Sequence, residues 1–137
     1  MVGILIIAHG TLGESLIHCA SHVIGRRPQN LMQIGVSVKD DPQAVLPRAI
    51  RFVKELDDGS GVLLLSDIYG ATPCNIATKL VVPGRVEGVA GVNLPMLVRA
   101  LTYSTESLEK VVAKALSGGT EGILPFTQEY RNAATGS

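Results

Sequence analysis

The chain has 137 residues, 46% of them hydrophobic, and its 12 Lys and Arg are balanced by 12 Asp and Glu. That length and apolar content suit one globular domain with a real core and exclude a disordered chain. Balanced charge removes the usual electrostatic case for nucleic acid or an anionic membrane surface as a partner. No apolar stretch approaches the length of a membrane span, so no direct membrane insertion is expected. The start of the chain lacks the basic region and small-residue cleavage site of a signal peptide. Cys19 and Cys74 show neither metal-ligand spacing nor CxxC, and unpaired cysteines among apolar residues fit a reducing compartment. A cytoplasmic location is therefore expected.

Residues 2–8 read as a first, buried strand ending at His9. Leu12, Leu16, Ala20, Val23 and Ile24 then recur at helical spacing, with Gly25 as the stop. Leu31 to Val38 reads as a second strand. Asp41-Pro42 is an N-cap followed by a first-turn proline, opening a helix whose apolar stripe is Val45, Ala49, Phe52, Val53 and Leu56. Pro47 predicts a kink or late start in that helix. Asp57-Asp58-Gly59-Ser60-Gly61 is a loop. The unbroken run Val62-Leu63-Leu64-Leu65 suits a central strand of a parallel sheet, buried on both faces.

Thr72-Pro73 reads as a cap and first helical residue, opening a helix to about Val81. A glycine-rich fourth strand is expected over Val86 to Val92, and a short helix from Pro95 to Leu101. Ser104 or Thr105 is the expected cap of another helix, with Leu108, Val111, Val112, Ala115 and Leu116 facing the core and Gly118-Gly119 ending it. Gly122-Ile123-Leu124 reads as a last, short strand. Alternating strands and helices predict an α/β fold, a three-layer open sheet, mainly parallel. One domain is expected over residues 1–130, followed by a loose tail over 131–137.

Two chain segments carry chemistry. His9 ends the first strand and is followed by Gly10-Thr11-Leu12-Gly13; Ser66-Asp67-Ile68-Tyr69-Gly70-Ala71-Thr72-Pro73 follows the third. In the common open-sheet order 2-1-3-4, the carboxyl ends of strands one and three flank the point where ligands bind. His9 and Asp67 would meet there. A carboxylate on one ring nitrogen fixes the tautomer and leaves the other free to attack. Thr72, the N–H groups of the following helix, and the amides around Gly10 and Thr11 could receive an anion. The pattern is thus a phosphate-receiving pocket with a nucleophile in its floor. Blander readings exist: His9 as a hydrogen-bonded structural residue, Asp67 as a turn cap, Thr72 as a simple N-cap, the glycines as turn formers.

Other signals are weaker. Glu14, His18 and His22 recur every four residues, which a metal site would also show, but a solvated helix face explains them. Cys74 reads as small core filler and Arg26-Arg27 as surface. Walker A, GxGxxG and GxSxG motifs are absent from the sequence, which argues against a P-loop NTPase, a dinucleotide enzyme and an α/β hydrolase. No cofactor is expected.

The strand into His9-Gly10, the block from Gly61 to Asn75 and the segment Ala90-Gly91-Val92-Asn93-Leu94-Pro95-Met96-Leu97 together resemble the mannose-family IIA proteins of the bacterial phosphoenolpyruvate-dependent sugar phosphotransferase system. The match spans nearly the whole chain. The resemblance implies that His9 is phosphorylated by the histidine phosphocarrier protein and hands the group to a IIB protein or domain. It implies that Asp67 is the acidic partner of that histidine and Thr72 the hydroxyl near the phosphoryl group, with no metal required. Ala71 stands where the family usually has a second glycine, and Cys74 where it usually has an aromatic residue. With no fused IIB segment in the sequence, a stand-alone, regulatory IIA is the companion reading. The rivals are the phosphohistidine subunit that feeds dihydroxyacetone kinase and a non-catalytic regulatory binding module.

A homodimer is also expected. Gly122-Ile123-Leu124-Pro125-Phe126 is apolar and follows Gly118-Gly119, read as a flexible hinge, so it could reach an exposed sheet edge. The resemblance implies that this short C-terminal strand is swapped onto the partner's edge, with Pro125 limiting its length.

Overall fold

The computed structural model describes residues 1–127. The elements run β1 (Gly3–His9), α1 (Leu12–Ile24), β2 (Leu31–Val36), α2 (Pro42–Leu56), β3 (Val62–Ser66), α3 (Thr72–Thr78), β4 (Val86–Ala90), α4 (Leu94–Thr102) and α5 (Leu108–Glu121). The strands form a parallel four-stranded sheet in the order β2-β1-β3-β4. Parallel neighbours need crossover connections, and the helices supply them. The expected open α/β sheet with order 2-1-3-4 is the observed one.

The sheet separates two apolar layers. Ile4, Ile6 and Ala8 of β1 pack with Leu63 and Leu65 of β3 against α1, α4 and α5. Leu5, Ile7, Leu64 and Val62 face α2 and α3. Because β1 and β3 are covered on both sides, residues 3–8 and 62–65 are apolar throughout rather than alternating, and only the last residue of each strand, His9 and Ser66, is polar. Each fully buried Ile or Leu there contributes roughly 1.5–3 kcal/mol. His9 ends the run because β1 emerges from the core at that residue, where burial gives way to exposure.

Several local expectations hold. Asp41 caps α2, its side chain accepting from the Gln43 N–H, with Pro42 in the first turn. Gly25 closes α1 in the left-handed conformation. The late start expected from Pro47 is not seen: α2 begins at Pro42 and carries Pro47 inside it.

Other expectations need correction. β2 stops at Val36, because the Ser37–Asp40 turn begins there, with Ser37 N–H donating to Asp40 Oδ2 at 2.7 Å. β4 stops at Ala90 before Gly91, which has φ +87°. α3 ends at Thr78 rather than near Val81. Asn93 caps α4 by accepting from Met96 N–H. Ser107, not Ser104 or Thr105, caps α5. Gly118 and Gly119 neither end α5 nor form a hinge. They are buried within it, and a Cβ at either would lie 2.8 Å from Arg99 Cβ or 2.7 Å from Met96 Cε. Close packing of α5 on α4 requires glycine there, and that packing overrides their low helix propensity. Residues 122–127 join no strand of the chain's own sheet. The expected boundary at residue 130 and the tail over 131–137 lie outside the described residues.

Candidate active site

The order β2-β1-β3 reverses direction at β1, so the carboxyl ends of β1 and β3 flank the switch point of the sheet. β1 ends on His9 and β3 on Ser66, so Asp67 is the first residue beyond β3. Asp67 Oδ2 accepts from the His9 backbone N–H at 3.0 Å and lies 2.7 Å from His9 Nδ1. Asp67 Oδ1 accepts from Ile68 N–H at 3.0 Å. One carboxylate therefore fixes both the backbone and the ring of His9.

The exposure of the pair is asymmetric: the Asp67 side chain is 8% exposed and the His9 side chain 49%. Burial pushes the Asp67 carboxyl up. The hydrogen bonds from the His9 backbone and ring and from the adjoining loop outweigh burial, and its pKa lies below the ordinary 3.8. An ionised Asp67 can only accept, so Nδ1 carries the proton of the neutral ring and Nε2 presents its lone pair outward. This is the tautomer a nucleophile needs.

Gly10 has φ +54°, a conformation that side chains rarely adopt, and it turns the chain from β1 into α1. Thr11 is the N-cap of α1 but its side chain makes no capping bond, so the first-turn N–H groups have no acceptor from that hydroxyl. Such groups are ready donors for an anion. Thr72 is corrected by one position: Ala71, extended at φ −82° and ψ 168°, is the N-cap, and Thr72 is the first helical residue, exposed on a helix that packs against β1. The structure thus joins His9 to Asp67 directly. It places Gly10 and Thr11 in the adjoining turn and Thr72 at the start of the neighbouring helix, with no bond to the pair.

Several features escaped the sequence reading. Asn75 Nδ2 donates to the Gly70 carbonyl at 3.3 Å and braces the loop that carries Asp67. Among the described residues, two buried side-chain oxygens lack a hydrogen-bond partner, Gln33 Oε1 and Ser66 Oγ. Neither type nor spacing distinguishes them in the sequence. Glu14, His18 and His22 are exposed along α1, and among the described residues no group of three or more His, Cys, Asp or Glu side chains gathers to hold a metal ion. Among those residues no helix is long and apolar enough to cross a membrane.

A half-exposed histidine, oriented by a buried carboxylate at the switch point of a parallel sheet and followed by a helix whose N-cap side chain makes no capping bond, is an arrangement that could serve a nucleophile acting on an anionic group. Comparison with known proteins gives the family. The family model described as "PTS system fructose IIA component" matches residues 3–116, and the chain belongs to that family of phosphotransferase-system IIA components. Its members are phosphotransferases that carry a phosphohistidine intermediate. The chain is 32% identical over 125 residues to the mannose-specific EIIAB component of Escherichia coli, matching 89% of this chain and 38% of that protein. It therefore spans well under half the length of that relative. It is 28% identical over 103 residues to the fructose-specific EIIA component of Bacillus subtilis, covering 74% of this chain and 70% of that one. Among solved structures, the EIIA component from Streptococcus agalactiae superposes with a TM-score of 0.81 at 26% identity, covering 92% of this chain and 98% of that one.

Proposed function

We propose that the chain is a phosphocarrier that accepts a phosphoryl group on His9 Nε2 from the histidine phosphocarrier protein and passes it to a IIB protein. The observation that carries this reading is the 2.7 Å contact between His9 Nδ1 and Asp67 Oδ2, which engages one nitrogen of a half-exposed ring and leaves the other outside that contact. In the forward step, Nε2 attacks phosphorus in line. The new N–P bond forms as the N–P bond to the donor's imidazole breaks. His9 keeps its Nδ1 proton, and the positive charge that builds on the ring is balanced by the Asp67 carboxylate. The N–H groups of the α1 first turn and the hydroxyls of Thr11 and Thr72 hold the phosphoryl oxygens. Such transfer needs positioning and charge stabilisation, and these groups can supply both.

The exposure of the site supports a protein as donor and acceptor. Small-molecule sites bury most of their ligand, whereas the His9 side chain stands 49% open. Leu12, Ile68 and Tyr69, adjoining His9 and Asp67 in the chain, are exposed at 41%, 60% and 86% and offer apolar contact area to a docking protein. Because the group moves between proteins, His9 itself need not select a sugar. The test is to supply phosphoenolpyruvate, enzyme I and the phosphocarrier protein and then to add IIB. Rapid loss of the label from this chain to IIB is expected; a label that stays put would favour a purely regulatory role.

The chain is also expected to act in the cytoplasm as a homodimer. β4 is an edge strand, and Ile123, Leu124 and Phe126 beyond α5 are 74%, 55% and 95% exposed. Pairing of this segment with a second copy's edge would cover both. Removing residues 123–137 spares α5 and should convert a dimer into a monomer on sedimentation. A truncated chain that stays dimeric would place the interface elsewhere.

A further inference from the structure

The two unpartnered buried oxygens are not scattered. In the parallel registers, Gln33 lies opposite Ile6 and Ser66 opposite Ile7, so both flank β1 within three residues of His9. Gln33 is the more informative, because its side chain lies directly beneath the turn that follows His9.

Three contacts seat that turn on β2. Gly10 N–H donates to the Val36 carbonyl at 3.0 Å. The Gly10 carbonyl passes over Gly35 so closely that a Cβ there would lie 2.1 Å from the oxygen. Gly13, in the first turn of α1, rests on Gln33: a Cβ on Gly13 would meet Gln33 Oε1 at 2.9 Å and Gln33 Cβ at 3.1 Å. The first two contacts are made by backbone. Gln33 and, at 3.3 Å from the same Cβ position, Ile6 Cγ2 are the side chains under Gly13, and Gln33 is the polar one, so its shape and its amide together bear on where the first turn of α1 sits.

The amide is chemically odd in that place. A buried acceptor without a partner destabilises the fold, and an apolar side chain of similar volume would remove that cost. An uncompensated polar group beside a reactive residue is a common mark of a site shaped for function at the expense of stability. We propose that Gln33 is a positioning residue for phosphoryl transfer. It supports the Gly10–Gly13 turn from below and, through it, aims the first-turn N–H groups of α1 at the phosphoryl group on His9. This rests on His9 being the phosphorylated residue.

The test compares the full-length protein with Gln33→Leu and Gln33→Met, measuring thermal unfolding and single-turnover phosphorylation by the phosphorylated carrier protein over a range of carrier concentrations. Both variants should unfold at the same temperature or higher. Their maximal transfer rate should fall roughly tenfold, the scale of a small misplacement of reacting groups, with half-saturating carrier concentration unchanged. Phosphorylation should also move the backbone N–H resonances of Gly10, Thr11 and Gly13 less than in the unmutated protein. Transfer at the unmutated rate in either variant, or a rate loss matched by a loss of folded protein, would overturn the proposal. A label mapped away from His9 in the unmutated protein would overturn the phosphocarrier reading as well; a label on His9 with unchanged variant rates would remove Gln33 alone.

Discussion

The two ends of the sheet each carry an aspartate held by hydrogen bonds, and they do opposite things. At the amino end, Asp57 accepts from Gly59 and Gly61 N–H at 2.9 and 3.1 Å and from Arg85 Nη2 at 2.9 Å. Those loop bonds from Gly59 and Gly61, then the Arg85 charge, hold its carboxyl below the ordinary 3.8 against the opposing effect of burial. At the carboxyl end, Asp67 is likewise lowered, but its partner is a half-exposed imidazole whose second nitrogen lies outside the contact. Arg85 is a permanent cation with nothing to donate electronically, so the Asp57 cluster closes a loop. In the proposed mechanism the His9 ring, its tautomer fixed by Asp67, is the nucleophile, so the Asp67 cluster would do chemistry. A lowered carboxylate is common to both; the free atom on the far side of the partner separates structure from function.

The largest expected effect follows at once. His9→Ala should fold normally and accept no phosphoryl group, and labelling with phosphoenolpyruvate, enzyme I and the carrier protein checks it. Residual label on His18 or His22 would show the site to be misplaced. Next, Asp67→Asn should slow transfer by roughly one to three orders of magnitude, in line with orienting carboxylates in other sites, while leaving the fold intact. The amide still reaches the ring but cannot offset the charge that builds on it. Stopped-flow or quenched transfer kinetics give the number, and an unmutated rate would remove Asp67 from the mechanism. The mirror experiment is Asp57→Ala. It should leave the transfer rate per folded molecule unchanged and lower stability by about 1–3 kcal/mol, because two N–H groups and a guanidinium lose their acceptor; urea unfolding measures it, and a slowed transfer would erase the contrast between the two ends.

How much of this was legible in the sequence follows from the same contrast. Residues 3–8 of β1 and 62–65 of β3 are apolar throughout, so the places of both strands, their central position and their polar ends could be read directly. His9 and Asp67 were found for that reason, and the strand order then brought them together. The features that escaped depend on partners distant in sequence. Gly118 and Gly119 look like a break, yet Pro95, Met96 and Arg99 of α4 leave no room for anything larger inside α5. Thr72 next to proline looks like a cap, yet Ala71 takes that place and the threonine begins the helix. Gln33 looks like any polar strand residue until the glycine turn is laid over it. Asn93 before Leu94-Pro95 carries its capping signal in the sequence, an Asn ahead of a first-turn proline, and it caps α4.

The smallest effect concerns pH. Asp57, Asp58 and Asp67 all have folded-state values below 3.8, Asp58 at about 2 through its bonds to the Met1 amino group and Ser60. A depressed carboxyl contributes stability that is complete above its unfolded value and is lost as pH falls through its folded value. Their contribution to the unfolding midpoint should therefore be constant above about pH 5 and decline from about pH 4 downward. Asp57→Asn should flatten that decline, as followed by thermal unfolding across the acid range. A decline of the same steepness in the variant would mean that other groups govern acid stability.

The central claim is that Asp67 occupies Nδ1 of His9 and leaves Nε2 as the reacting atom. Its direct test is phosphorus-31 and nitrogen-15 NMR of the ring-labelled protein after phosphorylation by the carrier system. The account predicts a single phosphohistidine at His9, with the N–P bond on Nε2 and the proton retained on Nδ1. Phosphorus on Nδ1, or on any other residue, would contradict it.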